Sequence, residues 1–100
     1  MRIESSIERS IKSWVVSKGG MIIKQNADLY KGIPDRLVIM PNGRMFFIEI
    51  KDPKGIVSEL QSHWIKKLNS MAVNAYVVRS LERFKIIWDE EYNRMTNLYI

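Results

Sequence analysis

Apolar residues recur near the start of the chain at the spacing of an amphipathic helix. The intervals are three or four residues, and the Lys-Gly-Gly at 18–20 follows the last of them. Such intervals place side chains on one face of a helix, and glycine commonly ends one. The pattern therefore predicts a first helix whose apolar face carries Ile3, Ile7, Ile11, Trp14 and Val15.

Short apolar runs between turn-forming residues predict four strands. The runs lie at 21–25, 35–40, 44–51 and 74–80, and the second and third are separated by Pro-Asn-Gly. Asn-Gly between two apolar runs is a strong signal for a β-hairpin. The segments 26–32 and 52–55 are polar and predict loops.

Two further helices are predicted downstream. Ser58 fits the cap of a second helix, whose buried stripe would be Leu60, Trp64, Leu68 and Met71. The segment 81–95 has helical spacing, although its Phe-Lys-Ile-Ile-Trp also fits a strand; the last five residues favour neither. The order of elements predicts one domain over residues 1–100, of the α/β class, with helices flanking a small sheet.

Composition narrows the classes of protein that the chain can belong to. It has no cysteine and one histidine, which exclude disulfides, thiolate zinc sites and clusters of several histidines. The net charge of +5 favours a polyanionic partner such as nucleic acid about as much as it favours simple solubility. Because no apolar run is long enough for a membrane span and the first residues lack a signal peptide's apolar core, we expect a soluble, cytoplasmic protein without a membrane partner.

The predicted hairpin carries charged residues that a buried sheet does not need. Alternation along its second strand places Glu49 and Lys51 on one face, opposite the face of Ile48 and Ile50. A three-residue turn would set Asp35 directly across from Glu49, with their Cβ atoms roughly 5 Å apart. Two carboxylates at that distance repel one another unless a cation or a shared proton lies between them.

A two-residue Asn-Gly turn would instead set Arg36 across from Glu49, which is an ordinary salt bridge. The two-residue turn is the commoner one and is slightly favoured by register alone. The stiff Gly-Ile-Pro before Asp35 and the position of Lys51 favour the acid pair. Two acids and a lysine around a hard divalent cation suit phosphodiester hydrolysis.

The stretches "GIPDRLVIMPNGRMFFIEIKDPKG" and "SELQ", with "IESSIERSI" before them and "AYVVRSLE" after, resemble the VRR-NUC (virus-type replication-repair nuclease) branch of the PD-(D/E)XK nuclease superfamily. The resemblance implies a restriction-endonuclease-like core with a small mixed sheet, and a deoxyribonuclease that uses Mg²⁺ or Mn²⁺. It also implies Asp35 and Glu49 as metal ligands, the carbonyl of Ile50 as a further ligand, Lys51 as the catalytic lysine and Gln61 beside the active site.

The family also carries a glutamate on its first helix, for which Glu4 and Glu8 are both candidates. They lie four residues apart and share a helix face. The family's usual glutamate, three residues before an aliphatic residue, favours Glu4. The Glu-Arg sequence of the related archaeal Holliday junction resolvases favours Glu8. We slightly prefer Glu8. Ser5 to Glu8 also fits a capping box, in which Glu8 would serve only the helix start.

Loop residues beside the expected site are candidate DNA contacts. Tyr30, Lys31 and Gly32 precede the acid, and Lys54 follows the lysine. A solvated loop lysine and a plain turn are the simpler interpretations of these residues.

The family also suggests an assembly and a substrate. Small members resemble Holliday junction resolvases, which are homodimers because a four-way junction needs two symmetric cuts. We therefore expect a homodimer that cleaves branched DNA. The alternatives are a non-catalytic DNA-binding module whose acids pair with arginines, and an exonuclease or flap nuclease that uses the same site.

Overall fold

The predicted order of elements is found in the computed structural model, which describes residues 5–25 and 30–97. Ile3, Glu4 and residues 98–100 lie outside the described residues. The segment 81–97 is a helix and not a strand. The helices are α1 Ser6–Ser17, α2 Glu59–Ser70 and α3 Leu81–Asn97, and the strands are β1 Met21–Lys24, β2 Arg36–Ile39, β3 Met45–Ile50 and β4 Ala75–Val78.

The first two helices begin at serine caps. The hydroxyl of Ser5 accepts a hydrogen bond from the Glu8 N–H at 3.1 Å, and that of Ser58 accepts one from the Gln61 N–H at 3.1 Å. The Gln61 side chain in turn accepts from the Ser58 N–H at 3.0 Å, which completes a capping box for α2. These caps satisfy backbone donors that a helix start leaves without partners.

The four strands form one mixed sheet in the order β1-β2-β3-β4. The first three strands are antiparallel neighbours, and β3 and β4 are parallel. The parallel pair is joined by α2, the crossover helix that a parallel connection needs. The class is therefore α/β with a small mixed sheet, as the sequence predicts.

The core lies between one face of the sheet and the helices α1 and α3. Alternate residues of β2 and β3 reach it, and the remaining side chains of these strands lie on the other face. The buried residues of this core are Ile11, Val15, Val38, Met40, Phe46, Ile48, Val78, Phe84, Ile87 and Trp88. None of the described helices is both long and apolar enough to cross a bilayer.

The buried stripe predicted for α2 is wrong at its two ends. Leu68 is buried, but Leu60 is 46% exposed and Met71 is 56% exposed. The reasons are that α2 ends at Ser70, before Met71, and that Leu60 lies over the turn at Gly32 and not over the sheet. Trp64 is half-buried outside the main core, whereas Trp88 is buried in it and Trp14 packs against it.

A buried carboxylate lies at the end of the sheet that carries the hairpin turn. Glu91 of α3 has no exposed surface, and its carboxylate accepts hydrogen bonds from Arg44 Nε at 2.6 Å, Asn74 Nδ2 at 2.8 Å and the Tyr76 hydroxyl. Arg94 Nη1 lies 3.6 Å from Glu91 Oε1. Burial, and then the hydrogen bond to Glu91, raise the pKa of Tyr76 to about 12. We call these five residues the Glu91 network.

The sequence analysis did not identify the Glu91 network. Its signal was present, because Glu91 follows Phe84, Ile87 and Trp88 at steps of three and four along the buried face of α3. A carboxylate on such a stripe has to be buried, and buried charges need partners.

Candidate active site

The hairpin turn has three residues, which decides between the two alternatives left open by the sequence. The Met40 N–H donates to the Arg44 carbonyl at 2.8 Å, and the Gly43 N–H donates to the Met40 carbonyl at 3.0 Å. Gly43 takes the left-handed φ of +87° that this turn requires. The two-residue turn is wrong because its closing pair would need an N–H from Pro41, and proline has none.

This turn sets the register that brings the two acids together. Arg36 faces Ile48 and not Glu49, so the predicted cross-strand pair of Arg36 with Glu49 is wrong. One residue further on, the same register places Asp35 across from Glu49. Asp35 and Glu49 form a non-hydrogen-bonded pair of the antiparallel strands. In such pairs the facing side chains lie closer together than in hydrogen-bonded pairs. Lys51 follows Glu49 on the same face of the strand.

The backbone beside the acid pair also differs from an ordinary ladder. In an antiparallel hairpin, every second facing pair of residues is joined by backbone hydrogen bonds. Met40 with Arg44 is such a pair, and counting along the register makes Pro34 with Ile50 another, just beyond the two acids. Because Pro34 lacks an N–H, it cannot donate to the Ile50 carbonyl. That oxygen is therefore available to another partner beside the two carboxylates.

An arginine links α1 to this end of the hairpin. Arg36 Nη1 lies 2.9 Å from Asp35 Oδ2, and Arg36 Nη2 lies 3.5 Å from Glu8 Oε2. The Arg36 side chain is only 14% exposed. Its Nη1 is buried without a well-aligned hydrogen bond, so the contact with Asp35 is chiefly electrostatic. We call Glu8, Asp35, Arg36, Glu49 and Lys51 the hairpin acid cluster.

The position of Glu8 accounts for more than helix capping. Its backbone N–H is bound by Ser5, as a capping box requires, but its carboxylate faces Arg36. The structure thus brings Glu8 to the hairpin acid cluster, while the other candidate, Glu4, lies outside the described residues. Gln61 is half-buried and takes part in the α2 capping box, and its predicted place beside the active site stays a prediction.

A second arginine holds the loop that follows Lys51. Arg79 Nη1 donates to the carbonyls of Asp52 and Gly55, at 2.9 and 2.6 Å. The Lys51 N–H donates to the Val78 carbonyl at 3.0 Å, which extends the β3–β4 pairing to the lysine itself. Lys54 lies exposed on this loop. Sequence reasoning missed Arg79, since its contacts join segments more than 20 residues apart.

The loop before Asp35 is held against α2. Gly32 has a φ of +86°, and a Cβ atom there would lie 2.6 Å from Leu60 Cγ, so only glycine fits without a shift. The Trp64 indole N–H donates to the Lys31 carbonyl at 2.9 Å. Tyr30 and Lys31 remain exposed, so the candidate DNA contacts Tyr30, Lys31 and Lys54 all reach solvent.

The oxygen atoms at this site suit Mg²⁺ or Mn²⁺, and they suit less well a metal ion that takes all of its ligands from side chains. Among residues 5–25 and 30–97, no three histidine or acidic side chains form a group that could hold a metal ion. Mg²⁺ commonly binds one or two carboxylates and completes its shell with waters and substrate phosphate. Asp35, Glu49 and the Ile50 carbonyl fit that requirement.

Comparisons with known proteins agree on one family. Residues 4–82 match the family described as the VRR-NUC domain. Over 50 residues, 50% of this chain, the sequence is 44% identical to "Putative nuclease p44" of Acyrthosiphon pisum secondary endosymbiont phage 1. The match covers 54% of that protein, so the chain spans about half the length of the curated relative. This chain superposes on a solved structure described as a VRR_NUC domain with a TM-score of 0.74 and 25% sequence identity. The superposition covers 83% of this chain and 90% of that structure's chain.

Proposed function

The chain belongs to the VRR-NUC domain family of nucleases, and we propose that it is a deoxyribonuclease dependent on Mg²⁺ or Mn²⁺. The observation that carries the proposal is the hairpin register, which sets Asp35 across from Glu49 with Lys51 two residues further along the same face. Two carboxylates on neighbouring strands are the kind of ligands that Mg²⁺ takes from a protein, and a lysine beside them suits a phosphate substrate.

In this proposal, Asp35, Glu49 and the Ile50 carbonyl hold the divalent ion. When bound, such an ion supplies Lewis acidity to the scissile phosphate and to the attacking water. The two carboxylates fix the position of the site relative to the sheet. Pro34 contributes by leaving the Ile50 carbonyl without a ladder donor.

Lys51 supplies positive charge where the phosphate gathers negative charge during the reaction. Its backbone is fixed by the hydrogen bond to Val78 and by the loop that Arg79 holds. A positive charge fixed in advance stabilises the transition state without reorganising when the charge develops. Glu8 and Gln61 stand as further site residues, Glu8 through its ion pair with Arg36.

The substrate and the assembly belong to the same proposal. We propose that the chain cuts branched DNA, with a four-way junction favoured, as a homodimer whose two sites make the two symmetric cuts. The net charge of +5 supports binding to a polyanion. The resemblance to junction resolvases supports the choice of substrate by analogy only.

The test is cleavage of a labelled four-way junction and of a matched linear duplex, with Mg²⁺, with Mn²⁺ and with EDTA. The wild type is compared with Asp35→Asn and Lys51→Ala, and with Asp89→Asn and Lys85→Ala as controls at exposed positions of α3. We expect paired nicks at the junction that need the metal and are lost only in the first two variants. Cutting only from free ends of the linear duplex would identify an exonuclease or flap nuclease instead.

One observation favours the non-catalytic alternative. Arg36 pairs with both Asp35 and Glu8, which is how the acids of a module that only binds DNA would be satisfied. In that case neither DNA is cut with either metal, binding persists, and Asp35→Asn leaves the affinity for DNA unchanged. Ion pairing of Arg36 is also compatible with a metal site, because a carboxylate that contacts an arginine through one oxygen can bind a cation through the other.

A further inference from the structure

An exposed aromatic ring is fixed beside the loop that leads into the hairpin acid cluster. Tyr30 is 57% exposed, and its ring centroid lies 5.5 Å from that of Trp64, at an interplanar angle of 86°. Trp64 is itself anchored by its indole hydrogen bond to the Lys31 carbonyl. The Tyr30 ring is therefore supported from the side while more than half of its residue surface meets solvent.

One lysine lies beside the Trp64 ring, and another follows Tyr30 in the chain. Lys67 Nζ lies 6.0 Å from the Trp64 ring centroid, and Lys31 is the exposed neighbour of Tyr30 in the chain. An aromatic ring with flanking cations is the chemistry that proteins use for unpaired nucleotides, because every base has a face that can stack and every nucleotide carries a phosphate. A tyrosine exposed by chance needs neither the anchored tryptophan nor the adjacent lysines.

The position of Tyr30 ties it to the proposed site. The Ile33 N–H donates to the Tyr30 carbonyl at 3.1 Å, which closes a turn. The next residue, Pro34, is buried and directly precedes Asp35. Gly32 lies against Leu60 in the same turn. A short, tightly packed segment thus joins the exposed ring to one of the two acids.

We propose that Tyr30 is a stacking platform for an unpaired nucleobase of DNA, supported by Trp64, with Lys31 and Lys67 placed for the neighbouring phosphates. This rests on the proposed function and narrows its substrate class to DNA with at least one unpaired nucleotide near the cleaved bond. A fully paired duplex offers no free base face except at its ends. The platform therefore selects flaps, overhangs and opened junction centres over continuous duplex.

The test measures binding to DNA with and without unpaired nucleotides, by fluorescence anisotropy in EDTA, so that it does not depend on cleavage. One probe is a duplex with both ends closed by non-nucleotide linkers and with a short single-stranded flap, and the other is the same closed duplex, fully paired. The chain is compared as wild type, Tyr30→Ala and Tyr30→Phe. Tyr92→Ala serves as the matched control, since Tyr92 is 44% exposed on α3. A 2-aminopurine in the flap reports stacking directly through quenching of its fluorescence.

We expect Tyr30→Ala to weaken binding to the flap probe by roughly fivefold or more, with loss of quenching and little change for the paired probe. Tyr30→Phe and Tyr92→Ala should bind the flap as the wild type does. Equal weakening on both probes, or unchanged quenching in Tyr30→Ala, would overturn the platform. Metal-dependent cleavage, measured separately, decides the nuclease, so either proposal can fail without the other.

Discussion

The two ends of the hairpin contain similar charged residues in opposite proportions. In the Glu91 network, one carboxylate with no exposed surface is contacted by two arginines, a tyrosine and an asparagine. In the hairpin acid cluster, one arginine contacts two carboxylates, and a third carboxylate lies across the hairpin from one of them. The first end thus has four donor side chains around one acid, and the second has three acids with one arginine and one lysine.

In our proposal, this difference separates a charge used for stability from charges that hold a ligand. A buried carboxylate is stabilised by the donors around it, and removing it leaves those donors without a partner. A divalent cation, by contrast, needs only one or two carboxylates and completes its shell with water and substrate. The comparison predicts that substitutions at the two ends change different properties of the protein.

The largest expected effect is on activity, at the hairpin acid cluster. Asp35→Asn should lower DNA cleavage about 100-fold or more, because it removes a charged oxygen ligand from the proposed metal site. The free energy of unfolding should change by no more than about 1 kcal/mol, since the Asp35 side chain is 28% exposed and Arg36 keeps its ion pair with Glu8. Cleavage rates and urea unfolding of the same preparation check both parts, and full activity in Asp35→Asn would remove the distinction between the two ends.

The largest effect on stability is expected at the other end. Glu91→Gln should lower the free energy of unfolding by about 3 kcal/mol, because Glu91 has no exposed surface and its partners lose the buried charge that they surround. Glu90→Gln, one residue earlier and exposed, is the control and should change it little. Chemical denaturation measures both variants. A Glu91→Gln protein as stable as the control would show that the network contributes no net stability.

A smaller effect is expected at the glycine that leads into the acid cluster. Gly32→Ala should destabilise the protein by about 2 kcal/mol, through strain at a φ of +86° and contact with Leu60. Gly43→Ala is the matched control, because Gly43 has a φ of +87° with no atom within 4 Å of the added Cβ. The excess loss in Gly32→Ala measures the close approach to α2 alone. Equal losses in thermal unfolding would mean that strain, and not packing, accounts for both.

The smallest effect concerns the pH dependence of the Glu91 network. The pKa of Tyr76 is raised to about 12 in the folded protein, so the unfolded chain releases the phenol proton first as the pH rises. The stabilising contribution of Tyr76 is therefore complete below pH 10, its ordinary pKa, and is lost as the pH rises towards 12. The stability difference between the wild type and Tyr76→Phe should shrink over that range. Unfolding curves at successive pH values measure it, and a constant difference would contradict the assignment.

The strongest sequence patterns produced the most accurate predictions. The serine before α2, the Asn-Gly turn and the apolar stripe of α1 depend on neighbours within a few residues, and each led to the correct element. The stripe on α2 failed at Leu60 and Met71, because the helix ends before Met71 and Leu60 lies over the turn at Gly32. Local periodicity carries no information about which distant segment lies beneath a helix.

The residues of the candidate site stay predictions from the sequence, and only their arrangement comes from the structure. Asp35, Glu49 and Lys51 were identified from residue type, spacing and family resemblance, while the choice between two registers stayed open. The missing N–H of Pro41 was visible in the sequence and could have decided it. The contacts of Arg36 with Glu8 and of Arg79 with the 52–55 loop could not be predicted, since each joins segments distant in the chain.

The sequence by itself determined the order of helices and strands, the alternation that puts Glu49 and Lys51 on one face, and the family to which the chain belongs. These follow from local backbone preferences and from residue types at short spacing. Only the tertiary structure decided that Asp35 lies across from Glu49, that Glu91 is buried among donors and that Tyr30 is supported by Trp64. Those arrangements depend on which distant segments pack together, and packing satisfies the whole core at once rather than any single stretch of it.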